Sequence, residues 1–175
     1  MLLPLLFLSV MMGFRLIEIE TNASRRFVKI LGPEFVPPAL VKIQGVVNPF
    51  ARRIHITFEK DNENFIFHMS IRFDEKKNVV VINSQTNGTW GEEERVLSYF
   101  PFAPSQGFEM EIQYEEKYFN VTVNDQLLLE FDIRDPTPVE INKLIVEGDV
   151  LVSEMRVETL PGETNKECEE LSLTV

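Results

Sequence analysis

The chain has 175 residues, 44% of them hydrophobic, which suits one domain with a substantial core. A formal net charge of −11 argues against nucleic acid as a partner and against insertion of the domain into membranes with anionic surfaces. One cysteine, Cys168, and two histidines exclude an internal disulfide and a zinc cluster; with no phosphate-binding glycine loop or dinucleotide motif either, no metal or cofactor is predicted.

Residues 1–25 are predicted to be an apolar leader or an amino-terminal extension. Leu2 to Phe14 is almost entirely apolar, but it is too short for a membrane-spanning helix and lacks the basic start that is usual in a secretory signal. Three interpretations stay open: a signal peptide at residues 1–14, which the composition favours; an extension that packs as a strand; or a little-used upstream start, with Met11 or Met12 as the working one. The predicted location is accordingly extracellular or cytoplasmic.

Residues 26–160 are predicted to form one all-β domain. Short alternating runs are separated by turn residues, without a helical period, which favours an antiparallel two-sheet sandwich. The predicted strands are Leu40–Val47, Arg53–Glu59, Phe65–Phe73, Val79–Asn83, Glu92–Val96, Phe108–Tyr114, Tyr118–Val123, Leu127–Ile133, Lys143–Val146 and Val150–Val157. Residues 161–175 are acidic and lack alternation, so a mobile tail is expected there.

Successive side chains of a strand point to opposite faces, so the apolar parity of each run is assigned to the core. The inward set is Ile54, Ile56, Phe58, Phe65, Phe67, Met69, Ile71, Phe108, Met110, Ile112, Tyr114, Phe119, Val121, Val123, Leu129, Phe131 and Ile133. The run from Phe65 then places Ile66, His68, Ser70 and Arg72 on the outer face.

A polar row beside an exposed indole is typical of a sugar site, because a sugar needs hydrogen-bond partners at its edge and an apolar platform beneath its ring. Trp90 is the only tryptophan, and its flanking glycines and glutamates argue against deep burial. Trp90 and Glu93 have opposite parity, however. If both face one sugar, the backbone must be irregular at Gly91, since an extra residue re-aims the side chains that follow.

The motifs resemble those of the galectin carbohydrate-recognition domain. They are His68-Met69-Ser70-Ile71-Arg72-Phe73, Ile82-Asn83-Ser84, Asn87-Gly88-Thr89-Trp90-Gly91-Glu92-Glu93-Glu94-Arg95 and, near the end, Ile145-Val146-Glu147-Gly148-Asp149-Val150. The resemblance covers roughly Phe35 to Val157. It implies a jelly-roll-like galectin fold, no metal, and a non-enzymatic lectin for β-galactoside glycans on glycoproteins or glycolipids.

The resemblance also implies roles for individual residues. The sugar ring would stack on Trp90, and its hydrogen-bond partners would be His68, Ser70, Arg72, Asn83, Glu93 and Arg95. By parity His55 and Thr57 share the face of His68, so they are expected to extend the groove to further sugars. No residue fixes the oligomeric state, and a homodimer stays open.

Two departures from the galectin pattern bear on specificity. Ser70 replaces the family's asparagine and Ile71 replaces its proline, and a hydroxyl is shorter than an amide and offers fewer partners. The alternative hypothesis is therefore a galectin-fold protein with lost or altered sugar specificity that acts through other glycans or a protein partner. A glycoside hydrolase would need two facing carboxylates, and no spacing singles out a pair such as Glu93 and Glu111, so no catalytic residue is predicted.

Three asparagines lie in the glycosylation acceptor pattern: Asn22, Asn87 and Asn120. Such triplets arise by chance and matter only if the chain enters the secretory route, so unmodified asparagines are the expectation. A glycan on Asn87 would crowd the sugar motif itself.

Overall fold

The computed structural model describes residues 25–134 and 140–159, and every regular element in these ranges is a strand. The strands are β1 (Arg25–Ile30), β2 (Ala39–Val47), β3 (Arg53–Asp61), β4 (Asn64–Arg72), β5 (Val79–Thr86), β6 (Thr89–Trp90), β7 (Glu94–Val96), β8 (Gly107–Tyr114), β9 (Tyr118–Val123), β10 (Gln126–Asp132), β11 (Lys143–Gly148) and β12 (Val150–Thr159). The predicted leader, acidic tail, Asn22 and Cys168 lie outside the described residues.

The strands form two antiparallel sheets, which confirms the predicted sandwich. The seven-stranded sheet has the order β1-β11-β3-β4-β5, and both β6 and β7 pair with β5. The five-stranded sheet has the order β10-β9-β8-β2-β12. All neighbouring strands are antiparallel, and residues paired across them lie on the same face of the sheet. One face of the seven-stranded sheet contributes to the core, and the opposite face carries the site.

The core between the sheets is built from the alternate apolar residues of both. Phe58, Phe67 and Phe119 are fully buried and pack within 6.0 Å of one another, centroid to centroid. Fully burying one such side chain contributes roughly 1.5–3 kcal/mol. Because β3 and β4 turn this apolar face inward, their polar side chains face outward in rows, as predicted.

At the start of β4 the predicted parity is wrong. Ile66 is buried in the core, whereas Phe65, predicted to point inward, is half-buried and packs against His68 and Trp90 on the outer face. The register shifts between Phe65 and His68 in the pairing with β5, and again near Glu59 in the pairing with β3. An irregularity of this kind reverses the face of every residue before it, and strict alternation does not reveal it.

Two short elements were not predicted. β1 pairs with β11 at the edge of the seven-stranded sheet, whereas the first predicted strand of the domain begins at Leu40. β6 consists of two residues and forms the second arm of a tight hairpin with β5. Asn87 and Gly88 turn that hairpin at φ 49° and 73°, a left-handed conformation that suits Asn-Gly. Asn87 is exposed there, whereas Asn120 is partly buried in β9.

Candidate functional site

A cavity of about 410 Å³ lies on the open face of the seven-stranded sheet. It is lined by six of the seven residues for which the galectin resemblance implies sugar-binding roles: His68, Ser70, Arg72, Asn83, Trp90 and Glu93. His68, Ser70 and Arg72 alternate along β4, and Asn83 is the cross-strand partner of His68 on β5. The sheet register therefore brings together side chains that are up to 25 residues apart in sequence (His68 to Glu93).

Trp90 forms one wall of this cavity. Its side chain is 46% exposed, so it is not part of the core. The indole meets His68 at 5.0 Å between ring centroids and Phe65 at 5.6 Å, both edge-on, with 60° between the planes. These two contacts fix the orientation of the indole and leave a flat apolar surface of the ring available to a ligand.

The backbone is irregular after Trp90, which confirms the prediction made at Gly91. Trp90 pairs with Gln85 and Glu94 pairs with Ile82, so three residues on this segment oppose two on β5. The extra residue is a bulge, and it lets Trp90 and Glu93 face the same cavity despite their opposite parity. A side chain at Gly91 would push the Arg134 guanidinium out of its place, because an added Cβ would lie 2.5 Å from Arg134 Nη1.

Asn83 anchors the bulged segment. It is buried, its Nδ2 donates to the Gly91 carbonyl at 2.9 Å, and its Oδ1 accepts from the Ser84 amide at 2.8 Å. Arg134 Nη1 donates to the same Oδ1 at 2.9 Å. Because the oxygen already has two donors, only the second hydrogen on Nδ2 remains to face the cavity.

The His68 ring contacts three aromatic rings, those of His55, Phe65 and Trp90, and one hydroxyl. Its Nδ1 shares a 2.9 Å hydrogen bond with the Thr57 hydroxyl, and its ring stacks on His55 at 5.2 Å. Burial lowers the pKa of His68 to about 4, with smaller contributions from the neighbouring His55 and Arg72. The imidazole is therefore neutral at neutral pH, and its Nε2 is the ring nitrogen left for a ligand.

This lowered pKa gives a testable pH dependence. An ordinary histidine titrates near 6.5, whereas His68 is expected to stay neutral until the pH falls towards 4. A ligand that hydrogen-bonds the neutral ring should keep its affinity from pH 7.5 to about 5 and lose it close to pH 4. A lactose titration at half-unit pH steps measures this.

The same shift has a consequence for stability. A histidine whose folded pKa lies below its unfolded value binds fewer protons when folded. The stability that the protein gains from keeping His68 neutral is therefore fully present above about pH 6.5 and is lost as the pH falls towards 4.

The binding measurement can also contradict the pH dependence predicted above. A midpoint near pH 6.5 in the lactose titration, in a sample whose circular dichroism is unchanged, would contradict the assignment to a buried His68.

Ser70 lies at the floor of the cavity. It is 1% exposed, and its Oγ accepts a hydrogen bond of 3.1 Å from Arg72 Nε. The hydroxyl therefore orients Arg72 from below, and its short side chain does not project into the cavity as a longer amide would.

Four charged side chains form a closed ring beside Ser70. Arg72 donates to Glu93 at 2.8 Å and to Glu75 at 3.0 Å, and Arg95 donates to Glu75 at 2.8 Å and to Glu93 at 3.0 Å. Hydrogen bonds from Arg72 lower the pKa of Glu93, and hydrogen bonds from Arg95 and Arg72 lower that of Glu75. Both carboxylates are thus held ionised, and Arg95 lies behind Glu93 rather than in the cavity lining.

The two residues predicted to extend the groove occupy different places. His55 lines the first cavity together with Arg53, and the same two residues also line an adjoining cavity of about 480 Å³. Thr57 is 5% exposed and lies beneath His68, where its hydroxyl fixes the ring rather than lining either cavity. Burial lowers the pKa of His55 as well.

Sequence reasoning missed Phe65, Glu75 and Arg134. Glu75 follows Arg72 by three residues, a spacing that offered a weak signal for an ion pair. The outward orientation of Phe65 was missed because the register shifts at the start of β4. Arg134 comes from the end of the other sheet, and no local pattern could place it against Asn83.

No group of three or more histidine, cysteine, aspartate or glutamate side chains in residues 25–134 and 140–159 is placed to hold a metal ion. No helix in those ranges is long and apolar enough to cross a membrane.

Known proteins with similar sequences and structures are galactoside-binding lectins. The sequence model of the galactoside-binding lectin family matches residues 26–157. Galectin-3 of Canis lupus familiaris is 37% identical over 115 residues, 65% of this chain and 38% of the relative; galectin-3 of Oryctolagus cuniculus is 37% identical over 116 residues, 66% and 47%. The chain thus matches less than half the length of these relatives.

Solved structures agree. A homodimeric agglutinin from chicken liver superposes with a TM-score of 0.68 at 30% identity, covering 77% of this chain and all of the agglutinin. Congerin II liganded with lactose and MES gives 0.64 at 26% identity, covering 78% of this chain and all of congerin II. Galectins are galactoside-binding lectins and not enzymes. On the family match over residues 26–157, this chain belongs to the galactoside-binding lectins, the galectins.

Proposed function

We propose that this chain binds β-galactoside-containing glycans in the cavity beside Trp90. The observation that carries the proposal is the exposed indole facing a row of polar side chains on one sheet face. Galactose presents a continuous C–H face, which packs on an indole, and hydroxyls along the adjoining edge. The cavity supplies both partners, and the structure of lactose-liganded congerin II is consistent with this class of ligand.

In the proposed complex the axial hydroxyl of galactose lies between His68 and Arg72. The neutral His68 ring presents Nε2, and Arg72 has two N–H groups beyond the three that bond Ser70, Glu75 and Glu93. An equatorial epimer would leave these groups unpaired, so the pair should discriminate galactose from glucose. The free Nδ2 hydrogen of Asn83 and the Glu93 carboxylate are proposed to bond neighbouring hydroxyls.

The affinity should be modest, and useful strength should come from several sites acting together. A few net hydrogen bonds of about 1 kcal/mol each and one stacking contact, less the cost of association, correspond to a Kd of roughly 1 mM to 1 μM. Glycans clustered on glycoproteins or glycolipids, or a homodimer, would raise the effective affinity. His55 is proposed to contact sugars beyond the galactose, with Thr57 acting through His68.

The direct test is a titration with lactose that follows the fluorescence of the only tryptophan, with sucrose as a non-galactoside control. A saturable change with lactose alone is expected. A folded sample that responds to neither disaccharide would overturn the proposal.

The second candidate function is a galectin with altered sugar specificity, favoured by the burial of Ser70. Replacing Ser70 with asparagine is expected to strengthen lactose binding about fivefold, because a longer amide reaches into the cavity and adds one neutral hydrogen bond of about 1 kcal/mol. Isothermal titration calorimetry measures the change.

The matched control is Ser70→Ala, which removes the hydroxyl without adding an amide and should not strengthen binding. The second candidate would be supported if the wild-type protein did not bind lactose and the Ser70→Asn variant did. Equal lactose affinity in Ser70→Asn and wild type would show that this position does not limit binding.

A further inference from the structure

The segment that carries Trp90 and Glu93 has little sheet pairing of its own. Residues 91–93 lie between β6 and β7 and form no strand. The Gly91 amide donates to the Ser84 carbonyl at 2.9 Å, and Asn83 bonds the Gly91 carbonyl. These contacts hold the backbone of the bulge only at its first residue. Arg72 and Arg95 bond the Glu93 side chain, so the backbone at residue 92 needs another partner.

Arg134 supplies that support from outside the cavity. It follows β10, which belongs to the opposite sheet, and its guanidinium lies 4.9 Å from the centroid of the Phe131 ring. Nη1 donates to Asn83 Oδ1 at 2.9 Å, and Nη2 donates to the Glu92 carbonyl at 2.8 Å and to Glu94 Oε1 at 2.6 Å. One planar group thus contacts β5, the bulge and β7 together.

The shape of the bulge is matched to this guanidinium. Gly91 leaves the space in which Nη1 lies, 2.5 Å from where a Cβ would be. A guanidinium projects several N–H groups in a fixed plane, whereas an ammonium is a compact point charge that cannot span the same acceptors. The arrangement therefore depends on the geometry of arginine and not only on its charge.

We propose that Arg134 is a positioning residue for the sugar site: it locks the 91–94 segment and Asn83 so that Trp90 and Glu93 are held in place before a glycan arrives. The inference rests on the proposed function for its consequence in binding. Without Arg134, Asn83 Oδ1 and the Glu92 carbonyl each lose a donor, and the segment must be ordered when the sugar binds, which weakens affinity.

The test compares Arg134→Ala and Arg134→Lys with wild type by lactose calorimetry, acrylamide quenching of Trp90 without sugar, and thermal unfolding. Arg134→Ala is expected to weaken lactose binding about tenfold and to raise the quenching constant of Trp90. Arg134→Lys should restore little of the lactose affinity and little of the protection of Trp90 from quenching, because lysine lacks the planar guanidinium. Arg156→Ala, which removes a paired arginine on β12, is the control and should change neither.

The outcomes separate the two proposals. A lower melting temperature in Arg134→Ala with unchanged quenching and unchanged lactose affinity would show a merely structural role and overturn the inference. Full recovery by Arg134→Lys would overturn the dependence on geometry. If wild type does not bind lactose, the proposed function fails, while the quenching of Trp90 still decides whether Arg134 fixes the indole.

Discussion

Replacing Trp90 with alanine is expected to weaken lactose binding by at least about 2 kcal/mol, or roughly 30-fold, the effect typical of a tryptophan that anchors an interface. Apart from the imidazoles of His55 and His68, the indole is the one aromatic ring that lines the cavity, so no other lining side chain offers a comparable apolar surface. Since the substitution removes the only tryptophan, calorimetry and not fluorescence is the measurement.

Phe50→Ala is the matched control for this change. Phe50 is 83% exposed and does not line the cavity, so its loss removes an exposed aromatic ring without touching the site. Lactose affinity should stay within twofold of wild type. If Trp90→Ala, with an unchanged circular dichroism spectrum, bound lactose as well as wild type does, the proposed stacking would be wrong.

The second large effect is expected at Arg72. Arg72→Lys keeps the charge but cannot donate at once to Ser70, Glu75 and Glu93, which lie 2.8–3.1 Å from three nitrogens of one planar group. Hydrogen bonds to charged groups contribute about 1.5–3 kcal/mol, so lactose affinity should fall at least tenfold. Stability should fall by about 1.5–3 kcal/mol, the contribution of one such bond, as chemical denaturation would show.

Arg26→Lys provides the comparison. Arg26 pairs with Glu147 at 3.0 Å on the same sheet, but its side chain is 58% exposed and lies outside the cavity. Surface pairs of this kind contribute about 0–1 kcal/mol, so neither affinity nor stability should change measurably. Equal losses in the two variants would mean that the ring of charges has no particular part in binding.

Much of the fold could be predicted because the strands alternate cleanly. In β8 and β9 the apolar parity alone identifies the buried residues, from Phe108 to Tyr114 and from Phe119 to Val123. The polar row of β4 follows from the same rule applied after the irregularity. Period-two patterning reports which face a residue occupies, and in a sandwich that is enough to separate core from site.

The remainder depended on contacts between distant segments. The reversal at Phe65 comes from register shifts against both neighbouring strands, which a single strand's sequence does not encode. The place of Arg134 follows from how the two sheets pack, and the roles of Thr57 and Asn83 from burial beside His68 and Gly91. The bulge at Gly91 was predictable because the galectin resemblance implied that Trp90 and Glu93, which have opposite parity, face one ligand.

The closed ring of Arg72, Glu93, Arg95 and Glu75 also bears on how fast a glycan is captured. Its two cations and two anions sum to zero, and a neutral sugar carries no charge for a long-range field to act upon. Encounter is therefore governed by diffusion and orientation, and added salt should neither speed nor slow it. If the proposed site binds neutral glycans, they are expected to differ chiefly in how long each one stays bound, so residence time is the quantity on which selection among them would act.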